Sequence, residues 1–190
     1  MSDVQIATYT GRLVDPFDLQ PDDVCIEDIA HALANTCRFS GHTREFYSVA
    51  QHSVLVAQHC ADEDKMAGLL HDAAEAYMGD VSGTFKDDLR VQVETGMLAK
   101  LYETHRFSSV EDDALAVILS KFDDGRVYLP AIIRGIDQRM LATEFRYLFP
   151  LALFERLAPT LAEPYDQRFC TWTPAKAETM FLSAFAEFSN

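Results

Sequence analysis

Apolar residues recur every three to four positions along most of this chain, the spacing of a helix face turned toward a core. Ile26, Ile29, Ala30 and Leu33 mark one such stretch, and Phe46, Val49, Ser53, Val56 and Ala57 mark the next. The same spacing predicts further helices over about 63–78, 87–104 and 110–122. Leu129 to Phe149 is strongly periodic through Ile133, Ile136, Met140, Leu141 and Phe145. Thr173-Pro174 reads as an N-cap followed by proline at the first helical position, opening a terminal helix to about Phe188. Phe181, Phe185 and Phe188 on that helix read as core or as an oligomer contact. Strand-like alternation is weak and lies between Ile6 and Leu13, as a short strand or hairpin arm. Asp15-Pro16-Phe17-Asp18, Pro21-Asp22-Asp23 and Asp123-Asp124-Gly125 read as turns, and Arg38 to Thr43 as a loop. The pattern predicts an all-α, compact multi-helix domain with at most a short N-terminal strand or hairpin.

Length and composition narrow the function. A chain of 190 residues fits one domain with a proper core. Hydrophobic residues make up 48% and charged residues 24%, an ordinary globular mix. No apolar run is long enough to span a bilayer, and the N-terminus lacks a basic region followed by an apolar one. A cytoplasmic protein without a membrane partner is therefore expected. The formal net charge of −14 argues against a broad nucleic-acid surface. It leaves a small anionic substrate open, because a bound cation reverses the field of a carboxylate site. Cys25, Cys37, Cys60 and Cys170 form no Cys-x-x-Cys pair, and free thiols are expected.

Against this background a few polar residues stand where a core should be. His52 follows Val49-Ala50-Gln51, His71-Asp72 follow Leu69-Leu70, and Asp137 has Ile133 and Leu141 one turn to either side. Imidazoles and carboxylates in such places are costly without a compensating partner. His71 and Glu75 share a helix face at a spacing of four. Gly68, Ala73, Ala74 and Ala76 let a neighbouring helix come close. Three packed helices can bring two imidazoles and two carboxylates to one point. A nitrogen and oxygen donor set without thiolate suits a divalent transition metal, and cobalt, manganese, zinc and iron all fit. Water on such an ion loses its proton near neutral pH and becomes a nucleophile.

These residues resemble the motifs of the HD-domain metal-dependent phosphohydrolases. The strings Tyr47-Ser48-Val49-Ala50-Gln51-His52-Ser53 and Leu70-His71-Asp72-Ala73-Ala74-Glu75-Ala76-Tyr77-Met78-Gly79-Asp80, then Lys86, look like the branch containing YfbR-type 5'-deoxynucleotidases and phage dATP triphosphohydrolases. Asp137-Gln138-Arg139-Met140-Leu141-Ala142-Thr143-Glu144 is similar to that branch's last motif. The likeness covers about residues 25–150. It implies an HD-domain fold in which His52, His71, Asp72 and Asp137 hold the metal. It further implies Glu75 as general acid or base, and Asp80 as a group that orients water or holds a second ion. Arg38 would contact phosphate or position the acidic groups, and Lys86 would meet an anionic phosphate. The branch has Arg-Trp where this chain has Arg38-Phe39, so Phe39 bears on the choice of base or sugar. Attack on phosphorus in a small phosphate ester follows, a (deoxy)nucleoside 5'-monophosphate or triphosphate being favoured. The likeness also implies a homo-oligomer, at least a dimer.

The other polar residues divide between the site and ordinary surface. His42 either reaches a phosphate or base, or faces solvent. Arg139 flanks Asp137 and either touches substrate or pairs with a surface acid. His31 and His105 read as structural or surface, and His59 stays outside the site. Glu111-Asp112-Asp113 reads as a solvated helix start. Two alternatives remain open: hydrolysis of a signalling nucleotide such as guanosine tetraphosphate or a cyclic nucleotide, and a regulatory module that binds nucleotide without turnover.

Overall fold

A computed structural model of the protein describes residues 4–86, 88–94, 102–168 and 170–189. The chain opens with a small antiparallel hairpin, β1 (Ile6–Ala7) and β2 (Leu13–Val14), with Ile6 opposite Val14. Helix α1 (Ile26–Asn35) follows, then a short 3-10 turn at Arg38–Gly41, then α2 (Val49–Gln58). Next come α3 (Lys65–Leu70), α4 (Glu75–Met78) and α5 (Gly83–Lys86). A second antiparallel hairpin, β3 (Arg90–Glu94) and β4 (Tyr102–Arg106), leads into α6 (Phe107–Phe122). The chain closes with α7 (Ala131–Leu148), α8 (Leu151–Leu157) and α9 (Pro174–Phe188). The architecture is mostly helical, as the periodicity predicts. Among the described residues no helix is long and apolar enough to cross a membrane.

Helix α2 is the hub. Every residue from Val49 to Ala57 is buried, the signature of a helix covered on all sides rather than on one stripe. It packs against α1, α3, α7 and α9. Ser48 caps its N-terminus, the hydroxyl accepting from Gln51 N at 3.2 Å. The buried Gln51 side chain ties down the segment before α9: it donates to Cys170 O at 2.9 Å and accepts from Trp172 N at 2.8 Å. On one flank Val49, Ala50 and Val54 join Ile29, Leu33, Leu69, Ile118 and Phe181. On the other, Leu55 and Val56 join Tyr47, Ile133, Ile136 and Met140. Burying each of these larger side chains contributes about 1.5–3 kcal/mol. Phe181 is fully buried and Phe185 and Phe188 pack partly against the same core. Thr173 caps α9 through Lys176 N at 3.3 Å.

Two expectations need correction. The helix expected over 87–104 is a β-hairpin where it is described, so strands are not confined to the N-terminus. Residues 87 and 95–101 of that prediction lie outside the described residues. The reason is local: Arg90-Val91-Gln92-Val93-Glu94 alternates with a period of two and carries β-branched valines, which favour a pleated strand. Its register sets Val91 opposite His105 and Gln92 opposite Thr104. The stretch read as one helix over 63–78 is also divided. Asp62–Asp64 is a 3-10 turn, and α3 and α4 are joined through His71–Ala74. In that joint Ala73 N bonds Leu70 O and Glu75 N bonds Asp72 O, the i to i−3 winding common where helices carry function.

Candidate metal centre

Three segments meet beside α2. His52 comes from α2 itself, His71 and Asp72 from the tightly wound joint, and Asp137 from α7. His52 Nε2 lies 3.2 Å from His71 Nε2, 3.7 Å from Asp72 Oδ2 and 3.1 Å from Asp137 Oδ1. His71 Nε2 lies 3.3 Å from Asp72 Oδ2 and 4.0 Å from Asp137 Oδ1. Gly68 makes the approach of α3 to α2 possible. A Cβ there would sit 2.5 Å from Cys60 Sγ and 3.2 Å from Ala57 Cα.

Both rings are oriented from behind. His71 Nδ1 donates to Gly68 O at 2.8 Å, and His52 Nδ1 donates to a carboxylate oxygen of the fully buried Glu144. Glu144 also accepts from Tyr47 OH at 2.9 Å and from Arg38 at 3.2 Å. Arg38 reaches Asp72 with its other terminal nitrogen at 3.3 Å. With Nδ1 donating, each imidazole when neutral turns its Nε2 lone pair to the centre, where two carboxylate oxygens also lie. With both rings neutral, four electron-rich atoms at this spacing repel unless a cation lies among them. Ligands on bonds of about 2.0–2.2 Å stand about 2.8–3.6 Å apart at right or tetrahedral angles. Three of the measured separations fall in that range, and the two longest are 3.7 and 4.0 Å. His52, His71 and Asp72, whose ligand atoms all lie within 4.8 Å of one another, could hold a divalent transition metal, with Asp137 beside them against His52.

Electrostatics report the same need. Burial and Arg38 act to lower the His52 pKa, but Glu144 and Asp137 outweigh them and hold it up at about 9. In the absence of an ion, a proton on His52 fills the cation's place. Burial would raise the Asp72 carboxyl, yet His71, His52 and Arg38 keep it well below the usual range. Asp137 is likewise lowered by His52 and His71 against burial. Glu144 is lowered by Arg38 and His52 against burial. Glu75 behaves oppositely: burial, then Asp72 and Asp80, push it up to about 9. Its Oε1 meets Lys86 at 3.2 Å, while its buried Oε2 has no hydrogen-bond partner among the described residues. Burial also raises Asp80.

A cavity of about 330 Å³ adjoins the centre through Arg38, lined by Phe39, Ser40, Asp80, Ser82, Leu141 and Phe145. Phe39, Ser40 and Gly41 have φ of 55°, 50° and 75°, three left-handed residues in succession. For the two non-glycine residues this costs about 1–2 kcal/mol each. Edge-to-face packing of Phe39 on Phe145 and Phe149, with centroids 5.3 and 5.1 Å apart, helps hold the turn.

The remaining sequence-derived residues divide. Arg38 holds Asp72 and Glu144, the positioning arm of the two roles implied for it. Lys86 lies between Glu75 and Glu111, the latter at 2.7 Å. Arg139 is not brought to the centre: it donates to Glu163 O at 3.1 Å and stacks over Tyr165 at 4.0 Å. His42 is exposed at the end of the 3-10 turn. His59 stacks on Tyr165 and meets Gln167, and His31 stacks on Tyr9 and meets Glu178, both away from the centre. The sequence reading gave no site role to Glu144, Tyr47, the Gly68 carbonyl or Glu111. Glu144 had a signal: it stands seven residues after Asp137, two turns along the same face of α7. The solvated-start reading of Glu111 is overturned, since its side chain is only 15% exposed and paired with Lys86.

The fold and this centre define a mostly helical protein in which two buried imidazoles meet two half-buried carboxylates, backed by an arginine, a tyrosine and a glutamate. No protein-family model matches the chain. Over 147 residues it is 44% identical to the uncharacterized protein YfdR of Escherichia coli K12, a match spanning 75% of this chain and 71% of YfdR. Over 81 residues it is 43% identical to an uncharacterized protein of Rhodobacter capsulatus, covering 38% of this chain and 41% of that one. The chain belongs to the family of YfdR.

Proposed function

We propose that this protein is an HD-type metal-dependent phosphohydrolase that cleaves a small phosphate ester, a (deoxy)nucleoside 5'-monophosphate or triphosphate being the favoured substrate. The observation that carries the reading is the convergence of His52, His71, Asp72 and Asp137, with both imidazoles presenting Nε2. The adjoining cavity of about 330 Å³ supports it, because that is the small end of ligand sites and suits a mononucleotide. The motif resemblance supports it independently.

A divalent cation, when bound, supplies Lewis-acid stabilisation of a phosphoryl oxygen and lowers the pKa of a water beside it. The protein's own groups do the rest. His52, His71, Asp72 and Asp137 hold the cation, and Arg38, Tyr47 and Glu144 keep those ligands in place. Burial, then Asp72 and Asp80, raise Glu75 well above the usual carboxylate range, so it carries a proton on a half-free carboxyl. Hydrolysis forms a new phosphorus–oxygen bond from water and breaks the ester bond. The leaving oxygen takes Glu75's proton, and the proton released by water restores it. Asp80 orients the water. Lys86 neutralises a phosphoryl oxygen, and Phe39 offers a flat apolar wall to a base.

The test is product formation on a panel of nucleotides after chelation, with single divalent ions added back. Nucleoside and orthophosphate, or nucleoside and triphosphate, appear only with a metal present. Tight nucleotide binding with no product from any of them would instead assign a regulatory module.

A further inference from the structure

The residue that holds Lys86 beside Glu75 comes from outside every motif. Lys86 Nζ lies 2.7 Å from Glu111 Oε1 on α6 and 3.2 Å from Glu75 Oε1 on α4. All three side chains are largely buried, at 21%, 15% and 6% exposure. An ammonium has three N–H donors. Two are engaged here, and the third has no partner among the described residues. Lys86 sits on the four-residue α5, too short to fix its own side chain. The 16-residue α6 is a firmer base, anchored by Val110, Ala114, Leu115, Ile118 and Leu119. Burying a carboxylate beside Asp112 and Asp113 is costly unless it is paired, so Glu111's burial requires Lys86 as much as Lys86 requires Glu111.

We propose that Glu111 is a positioning residue for substrate phosphate: it fixes Lys86 so that one N–H of the ammonium remains for an anionic oxygen. This rests on the phosphate-ester reading of the centre. Glu111 exerts two effects of opposite sign. Its negative charge repels a phosphate, and its anchoring of Lys86 attracts one. The anchoring dominates, because the 2.7 Å pair largely cancels the charge at a distance.

The experiment is titration of inorganic phosphate into the metal-loaded protein by calorimetry, for wild type, Glu111→Ala, Glu111→Gln and Lys86→Met. Glu111→Ala weakens phosphate about tenfold, the scale of coupling between contacting residues. Glu111→Gln keeps an oxygen acceptor for Lys86 and binds as wild type or tighter. In the Lys86→Met background, where no ammonium cancels the carboxylate, Glu111→Ala causes no further loss and leaves phosphate binding equal or tighter. Metal content and melting temperature report folding, and Glu111→Met carries the same test if the alanine variant does not fold. Binding by Glu111→Ala or Glu111→Met as tight as wild type overturns the proposal, as do losses that add to that of Lys86→Met, or a wild type that holds metal without binding phosphate. Phosphate affinity is read without turnover. A nucleotide panel that yields no product therefore overturns the activity and leaves Glu111's role to be decided by the binding pattern.

Discussion

Replacing Glu144 by glutamine probes the backing of the centre with little change in volume. Its carboxylate accepts from His52 Nδ1 and Tyr47 OH on one oxygen and from Arg38 on the other. A glutamine retains one acceptor oxygen, and its amide NH2 then faces the Arg38 guanidinium, donor against donor. Two losses follow. His52 loses an anionic partner, becomes a weaker ligand and costs about 10–100-fold in metal affinity. Arg38 keeps Asp72 but loses its buried second partner, a charge-assisted hydrogen bond of about 1.5–3 kcal/mol. For a domain of this size that lowers the melting temperature by roughly 3–12 °C. Calorimetric titration of a divalent ion into chelated protein at pH 7 measures the first, and thermal melts of the metal-free protein measure the second. Metal affinity within twofold of wild type, with an unchanged melt, would refute the role given to Glu144.

Gly68→Ala drives a Cβ to 2.5 Å from Cys60 Sγ and 3.2 Å from Ala57 Cα, so the buried Cys60 side chain must turn away and α3 must ease from α2 by a few tenths of an ångström. A destabilisation of about 1–3 kcal/mol, with weaker metal binding, is expected in melts and titrations. Burial, then Asp72 and Asp80, push Glu75 up to about 9 in the metal-free protein, so activity that uses its proton holds through neutral pH and falls in alkali, at a pH drawn below that value by a cation that neutralises Asp72. Glu75→Gln lowers kcat by about 10²–10⁴-fold and removes that limb. Because the folded pKa is raised from 4.5, wild type also loses stability relative to Glu75→Gln as pH climbs from 4.5 toward 9, which urea midpoints record. His52, raised from 6.5 to about 9, gives the metal-free protein stability that is full below 6.5 and lost as pH rises through 9. A bound divalent ion takes the proton's place, so metal-loaded melts stay flat across that window.

Periodicity carried the helices where an apolar face was continuous, as in α1, α6, α7 and α9. It misread 87–104 because a helical spacing of apolar residues was allowed to outweigh the alternation around Val91 and Val93. The four convergent donors were legible because each is a polar residue inside an apolar helix face. The backing was harder to see. Glu144 lies inside a motif string, yet its partners Arg38, Tyr47 and His52 are distant in sequence and meet it only through packing. Glu111 sits in an acidic run that looks like any solvated helix start, and only the placement of α5 beside α6 reveals its burial. Arg139 next to Asp137 was a candidate by proximity, but neighbours on a helix point about 100° apart, and two residues on it faces Tyr165 instead.

The central claim is a single ion among two imidazole nitrogens and two carboxylate oxygens. Metal content per chain, measured after chelation and reconstitution for wild type, Asp72→Ala and Asp137→Ala, tests it most directly. One divalent ion per chain in wild type, in a nitrogen and oxygen shell without sulfur by X-ray absorption, and loss of that ion in both variants is the predicted result. A wild type that retains no ion, or variants that retain it as wild type does, would contradict the account.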